Sequence, residues 1–218
     1  MGAVDHETTA GTGETTIATF LEAVDARTPA PAGGAAAGLN AALGASLLAM
    51  VARYTSGERY ADRAEEMLGY VEELAALRRR ALDTVGADQD AFGAVAAAYE
   101  RPKDGEEERA ARSAAIQEAM AGATAPPLAL AAICARLAEL ARVLTERGHQ
   151  PVRSDAGTGA ACVAAAAEGT LINLMANAAM LHVPELRARL AEACEALRRD
   201  RDGLRALVDA VQASYVDR

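Results

Sequence analysis

The chain has no tryptophan, two phenylalanines and five tyrosines in 218 residues, so its core is not built around large rings. What replaces them is alanine, 57 residues of it, about a quarter of the sequence. Alanine is the best helix former and a poor strand residue, so a chain rich in Ala, Leu, Glu and Arg reads as helical with closely approaching helices. A β-sandwich or barrel is excluded. Cysteine is also scarce: Cys134, Cys162 and Cys194 are odd in number, far apart and set inside apolar helical patterns. That rules out a disulfide framework and zinc-type spacing, and fits reduced, buried thiols in a cytoplasmic protein. A basic stripe is missing as well, since 22 Lys+Arg face 31 Asp+Glu for a net charge of −9. Nucleic acid is therefore not an expected partner. Arg78–Arg79–Arg80 and Arg198, Arg199 and Arg201 fall late on predicted helices, where cations suit solvent and the helix dipole.

Several chemical signatures are absent too. There is no Walker loop, no dinucleotide fingerprint after a strand, no zinc-protease histidine pair and no nucleophile elbow. The length suits one domain whose core needs neither disulfide nor structural metal, and no metal ligands are expected. Residues 1–14 lack the basic start and apolar stretch of a secretory signal and read as a disordered arm carrying His6, ahead of a single helical domain over 15–218.

Within that domain the apolar spacing is helical throughout. Thr15 or Thr16 caps a first helix bearing Ile17, Phe20, Leu21 and Val24 on one face. The loop TPAPAGG, 28–34, then leads into an apolar helix over 35–54. The run from Thr28 to Ala52 carries no charge and is long enough to span a bilayer, but its Ala/Gly content with Asn40 and Ser46 reads as a buried core helix, with no membrane partner. Gly34 and Gly38, four apart, invite close approach of a neighbouring backbone. A half-exposed helix follows over 58–85, broken or bent at Gly86, then helix from Asp88 to Tyr99, an acidic turn at PKDGEEE, and a helix from about Glu106 to the Pro126–Pro127 pair. Leu130, Ile133, Leu137, Leu140 and Leu144 mark the next, ending at Gly148. A second low-charge helix occupies 155–180, and a last one runs from Glu185 to about Tyr215. The fold class is all-α, an up-and-down antiparallel bundle with two buried low-charge central helices.

Chemistry has to come from polar residues where an apolar bundle does not want them. These are Asp88 and Asp90 before Phe92, Lys103 after a proline, Ser154–Asp155 at the start of the second central helix, and Asn173 and Asn177 four apart on one face of it. Each also has a structural reading: Asp88, Ser154 and Asp155 as N-caps, Lys103 as a surface charge. The two amides need partners if buried, and imply a polar pocket or an interhelical network. His149 in a loop and His182 near a helix end read as structural.

The order TPAPAGG, AALGASLLAMVARYTSG, DQDAF, YERPK, AIQEAM, a Pro-led helix, GHQPVRSDAG and EGTLINLMAN resembles the formimidoyltetrahydrofolate cyclodeaminase and methenyltetrahydrofolate cyclohydrolase family over about residues 15–200. The resemblance implies an all-helical homodimer that handles folate one-carbon units without a separate cofactor, its substrate being a tetrahydrofolate derivative. It points to Asp155 and Asp90 as catalytic carboxylates, and to Gly33, Gly34, Lys103, Ser154, Asn173 and Asn177 as substrate-binding residues. Departures from the family pattern are Ala32 and Ala35 in the glycine loop, Arg101 before Pro-Lys, and His149 after Gly148. A same-fold enzyme with a non-folate substrate, and a non-catalytic helical scaffold, are the alternative readings.

Overall fold

A computed structural model describes residues 15–28 and 30–216; the arm over 1–14 with His6, and Pro29 of the glycine loop, lie outside the described residues. Seven helices follow in order: α1 Ile17–Asp25, α2 Gly33–Tyr54, α3 Ala64–Tyr99, α4 Glu106–Gly122, α5 Ala125–Arg147, α6 Arg153–Met180 and α7 Pro184–Val216. Single 3-10 turns, Glu58–Tyr60 and Gln150–Val152, precede α3 and α6, and no strand occurs among the described residues.

The central pair is α2 and α6, and small residues let them touch. Ala35, Ala41, Ala45 and Ala52 on α2, and Ala156, Ala160, Ala166 and Ala167 on α6, are all buried. A Cβ on Gly44 would stand 2.6 Å from Val163 Cγ2, and one on Gly38 would stand 2.8 Å from Val85 Cγ2 on α3, so neither position admits a side chain without a shift. Both helices are long and apolar enough to cross a bilayer; 61% and 50% of their most apolar windows are buried inside the bundle. Larger apolar side chains come from the surrounding helices, with Met67 and Leu74 of α3, Leu137 and Leu144 of α5, and Leu190, Leu197 and Leu204 of α7 almost fully buried. The threonines inside this core hand their hydroxyls back to the helix: Thr145 to Ala141 O and Thr170 to Ala166 O, both at 2.7 Å. Such back-bonds leave no buried hydroxyl unsatisfied among the described residues.

Neighbouring helices run antiparallel. Gly34 lies at Asp88 while Gly38 lies at Val85, and Gly44 meets Val163 while Gly169 meets Ala37. Across the surface, Glu66 pairs with Arg147 and Glu73 with Arg136, both joining α3 to α5 at 2.7 Å. Arg201 and Arg205 of α7 reach Glu168 of α6. The arginine runs are accounted for: Arg78, Arg79 and Arg80 are exposed, and Arg201 is ion-paired.

Three local expectations change. Gly86 does not interrupt α3, which is continuous from Ala64 to Tyr99. A helical glycine costs about 1 kcal/mol relative to alanine, and the packing of Ala81, Thr84 and Val85 on α2 outweighs it. Ser154 and Asp155 are not caps but residues of the first turn of α6, whose N-cap is Val152 with no side-chain bond. Helix α1 forms as read, with Thr16 Oγ1 accepting from Thr19 N at 3.1 Å. Its apolar face, however, is uncovered: Ile17 is 73% and Leu21 57% exposed.

Candidate active site

The N-terminus of α2 supplies the first element of the site. Ala32 is the N-cap and makes no side-chain hydrogen bond, so the first N–H groups of the helix depend on whatever else reaches them. Gly34 then lies directly against the carboxylate of Asp88 on α3: a Cβ on Gly34 would stand 2.4 Å from Oδ2 and 2.5 Å from Oδ1. A side chain here would displace the Asp88 carboxylate, so glycine at this position keeps that group where it is. The third element is Asn173 of α6, whose Oδ1 would be 4.0 Å from a Cβ on Gly33. Thr84, Pro126, Pro127 and Leu130 complete the lining of the crevice between these groups, whose free volume of about 10 Å³ leaves any larger ligand at its mouth.

Among the described residues the side chains of Asp88 and Asn173 make no hydrogen bond or ion pair, although both are half-buried. Burial pushes the Asp88 carboxyl above the ordinary carboxylate range. A carboxylate in that setting is a proton acceptor poised closer to neutrality than a free one. Asn177, one turn further, has a different fate: its Nδ2 donates to Ala123 O at 3.0 Å and ties α6 to the turn before α5.

The residues singled out in the sequence divide into two groups. Gly33, Gly34, Asn173 and Asn177 gather at this end of the bundle with Asp88. Asp90 is exposed: two positions along a helix turn a side chain to the opposite flank, so it leaves the stripe that Asp88 occupies. Lys103 is exposed in the connection after α3, roughly 16 Å of helix beyond Asp88 to Tyr99 by rise. Ser154 and Asp155 lie at the other end, 18 residues before Asn173 on the same helix, or about 27 Å. No single cleft of one chain holds them all. Asp88 was legible in the stripe Leu77, Ala81, Thr84, Val85, whose next member at i+3 is Asp88.

That second end is densely bonded. Tyr60 Oη and His149 Nδ1 are 2.8 Å apart, His149 N donates to Thr55 Oγ1 at 2.9 Å, and Thr55 Oγ1 donates to Val51 O at 2.7 Å. The Tyr54 ring lies over His149, with centroids 6.1 Å apart and planes within 16°. Arg147 grips Glu66, which also accepts from Tyr70 Oη at 2.8 Å. Arg153 Nε is buried with no partner among the described residues, and the side chains of Ser154 and Asp155 beside it make no hydrogen bond or ion pair among them. His182 is exposed in the α6–α7 turn, its backbone N–H donating to Gln117 Oε1 at 2.8 Å.

None of the cysteines looks like a nucleophile. All three are free thiols, and burial pushes each upward, Cys134 to about 12. Among the described residues no group of three or more His, Cys, Asp or Glu side chains is placed to share a metal ion.

Comparison with known proteins gives a consistent result. Residues 16–196 match the formiminotransferase-cyclodeaminase family model. A methenyltetrahydrofolate cyclohydrolase of Methylorubrum extorquens is 37% identical over 190 residues, covering 83% of this chain and 91% of that protein. The formimidoyltransferase-cyclodeaminase of Rattus norvegicus is 33% identical over 75% of this chain, which spans only 30% of the rat protein. The crystal structure of a formiminotetrahydrofolate cyclodeaminase from Thermotoga maritima superposes with a TM-score of 0.82 at 25% identity, covering 94% of this chain and 98% of that one.

Proposed function

Because the chain belongs to the formiminotransferase-cyclodeaminase family, we propose that it is a folate one-carbon enzyme that hydrolyses the methenyl bridge of a tetrahydrofolate, with Asp88 as the working carboxylate. The choice of hydrolysis is supported by the Methylorubrum cyclohydrolase, which this chain parallels over nearly the whole length of both proteins. Cyclodeamination is the second reading, favoured by the Thermotoga cyclodeaminase, of which this chain covers 98%. The two reactions share an amidine-type carbon between N5 and N10 and differ in what leaves.

The observation that carries the reading is the pair of unpartnered polar side chains, Asp88 and Asn173, beside a helix N-terminus stripped of side chains. A methenyl folate is an amidinium cation spread over N5, the bridging carbon and N10. A half-buried carboxylate stabilises such a cation and, with its proton affinity raised, takes a proton from the attacking water. Water oxygen bonds to the bridging carbon, the carbon–N5 bond breaks, N5 takes a proton and a formyl group stays on N10. The net yield is one proton. Gly33 and Gly34 let a flat ring lie on the backbone, and the free N–H groups of α2 and the Asn173 amide meet its polar edge. Asn177 holds the turn that positions Asn173. Lys103 and Arg101, both exposed, are the cations beyond the cleft that a glutamate tail would meet. Three free thiols are consistent with a reducing compartment.

The test is the decay of methenyltetrahydrofolate absorbance with the spontaneous rate subtracted. Wild type accelerates it, and Asp88→Asn lowers kcat/KM by roughly 100-fold or more. No acceleration by a folded, helical wild type overturns the folate reading; an undiminished Asp88→Asn overturns the role of that carboxylate.

A further inference from the structure

The crevice at Gly34 leaves the bulk of any substrate outside it, and a larger hollow lies next to it. Between α3 and α5 runs a groove of about 350 Å³, walled by Ala87, Pro126, Ala129 and Ile133, with Arg80 and Asp83 also in its lining. Thr84 and Pro126 border both the groove and the crevice, so the two adjoin. Ala87 on one wall and Ala129 on the other are small, which is why the hollow stays open.

One charge in this groove is out of pattern. Ion pairs join α3 to α5 at seven-residue steps on α3, Glu66 with Arg147 and then Glu73 with Arg136. Seven residues are close to two helical turns, so the next residue of α3 to face α5 is Arg80. Here the sign is reversed and the acid is missing: Arg80 shares the groove with Ala129 of α5, and it makes no ion pair or hydrogen bond among the described residues. Asp83, three positions on, makes none either.

An apolar trough that starts beside a reaction centre and ends at an unpaired guanidinium suits a flat apolar linker that carries a carboxylate. The lengths agree. Arg80 lies eight residues before Asp88, about 12 Å by rise along α3. The arm of a folate, from the bridging carbon through a para-linked ring and an amide to the glutamate carboxylates, spans about 10–13 Å at ordinary bond lengths. Arg80 is therefore a nearer cation for that arm than Lys103 or Arg101, which lie the other way, past roughly 16 Å of helix.

We infer that the groove between α3 and α5 holds the aminobenzoyl ring of the substrate and that Arg80 receives a carboxylate of its glutamate, which makes Arg80 a specificity-determining residue away from the reacting carbon. The identity of the arm rests on the folate reading, and its path rests on the groove. The ring lies on Ala87, Ala129 and Ile133, and the planar guanidinium meets the carboxylate with two N–H groups. Asp83 shares the wall and repels the same anion, so neutralising it acts with the opposite sign.

Kinetics on two substrates test this: methenyltetrahydrofolate, and methenyltetrahydropteroate, which lacks the glutamate. Arg80→Gln raises KM for the first about tenfold while kcat holds, and it does not raise KM for the second. Asp83→Asn lowers KM for the first. Arg79→Gln removes the same charge from the neighbouring position and changes KM by less than about twofold. Equal effects of Arg80→Gln on both substrates, or an Arg79→Gln effect as large as that of Arg80→Gln, overturn the assignment and leave the folate reading standing. A wild type inert toward both substrates removes the folate reading, and the groove is then judged by calorimetric titration with p-aminobenzoylglutamate. Binding that Arg80→Gln weakens keeps the groove; binding that is absent, or equal in the two proteins, overturns it.

Discussion

The two ends of the bundle are built from similar residue types and treat them in opposite ways. At the Tyr54 end one connected group of side chains is bonded: Tyr60 to His149, His149 to Thr55, Thr55 to Val51 O, Arg147 to Glu66, Tyr70 to Glu66, with Arg153 Nε, Ser154 and Asp155 outside it. At the Gly33 end Asp88 and Asn173 are half-buried and bonded to nothing among the described residues. The polar atoms of these two side chains keep access to solvent, so they are open to a ligand at little cost to the fold. Satisfied groups mark where the chain is fastened; unsatisfied ones mark where it binds.

The sharpest way to break that contrast is Asp88→Asn. If Asp88 is a fastening residue, the substitution costs stability; if it is a binding residue, activity falls by roughly 100-fold or more while the protein melts at the same temperature or higher. Steady-state kinetics beside a thermal melt separates the outcomes, and a fall in melting temperature with activity intact would reverse the assignment of the two ends. The complementary change is Thr55→Val, which removes the acceptor of the His149 N–H and the donor to Val51 O. It is expected to cost about 1–3 kcal/mol of folding stability by urea denaturation, with little change in kcat.

How much of this was visible in the sequence divides along the same line. The helices were legible because each depends on local spacing: Leu130, Ile133, Leu137, Leu140 and Leu144 are all buried on one side of α5, and the uncharged run before Arg53 became the buried α2. Gly86 was misread because its local penalty is set against packing on α2 that no local window contains. The two asparagines drew notice as a pair, yet only the fold shows that Asn177 is spent on Ala123 O while Asn173 is not. The same holds for the aspartates: Asp88 and Asp90 are equivalent as letters, and what distinguishes them is which flank of α3 faces Gly34. Local structure was readable; which polar group goes unpaired was not, because that is a property of three helices meeting.

Proton linkage distinguishes the ends by sign. Burial raises the Asp88 carboxyl above its ordinary 3.8, so between that value and its folded one the native state binds more protons than the unfolded chain. Stability therefore falls as pH rises through this window, and Asp88→Asn should be more stable than wild type at neutral pH, with the gap closing on acidification. Glu66 is the reverse case. Arg147, and after it Tyr70, hold it below its ordinary 4.5, so its contribution is present above that value and lost as pH falls through the folded one. Glu66→Gln should be less stable than wild type at neutral pH, by a small amount because the pair is substantially exposed, and the gap should close from the other side. Urea midpoints at a series of pH values for both variants show whether the signs differ; equal signs would mean that Asp88 has a partner after all.

The smallest effect belongs to Asp90→Asn. Asp90 is exposed on the flank of α3 away from Gly34, so the change should move stability by less than about 0.5 kcal/mol. Its value lies in the pairing with Asp88→Asn: the two substitutions are chemically identical, two residues apart, on one helix and in one charge environment. A difference between them in kcat/KM cannot come from net charge or helix propensity, and reports only which flank of α3 the substrate meets. If Asp90→Asn proved the more damaging, the working carboxylate would face outward from the protomer. The cleft at Gly34 would then be a packing feature, and the chemistry would lie on the surface beyond it.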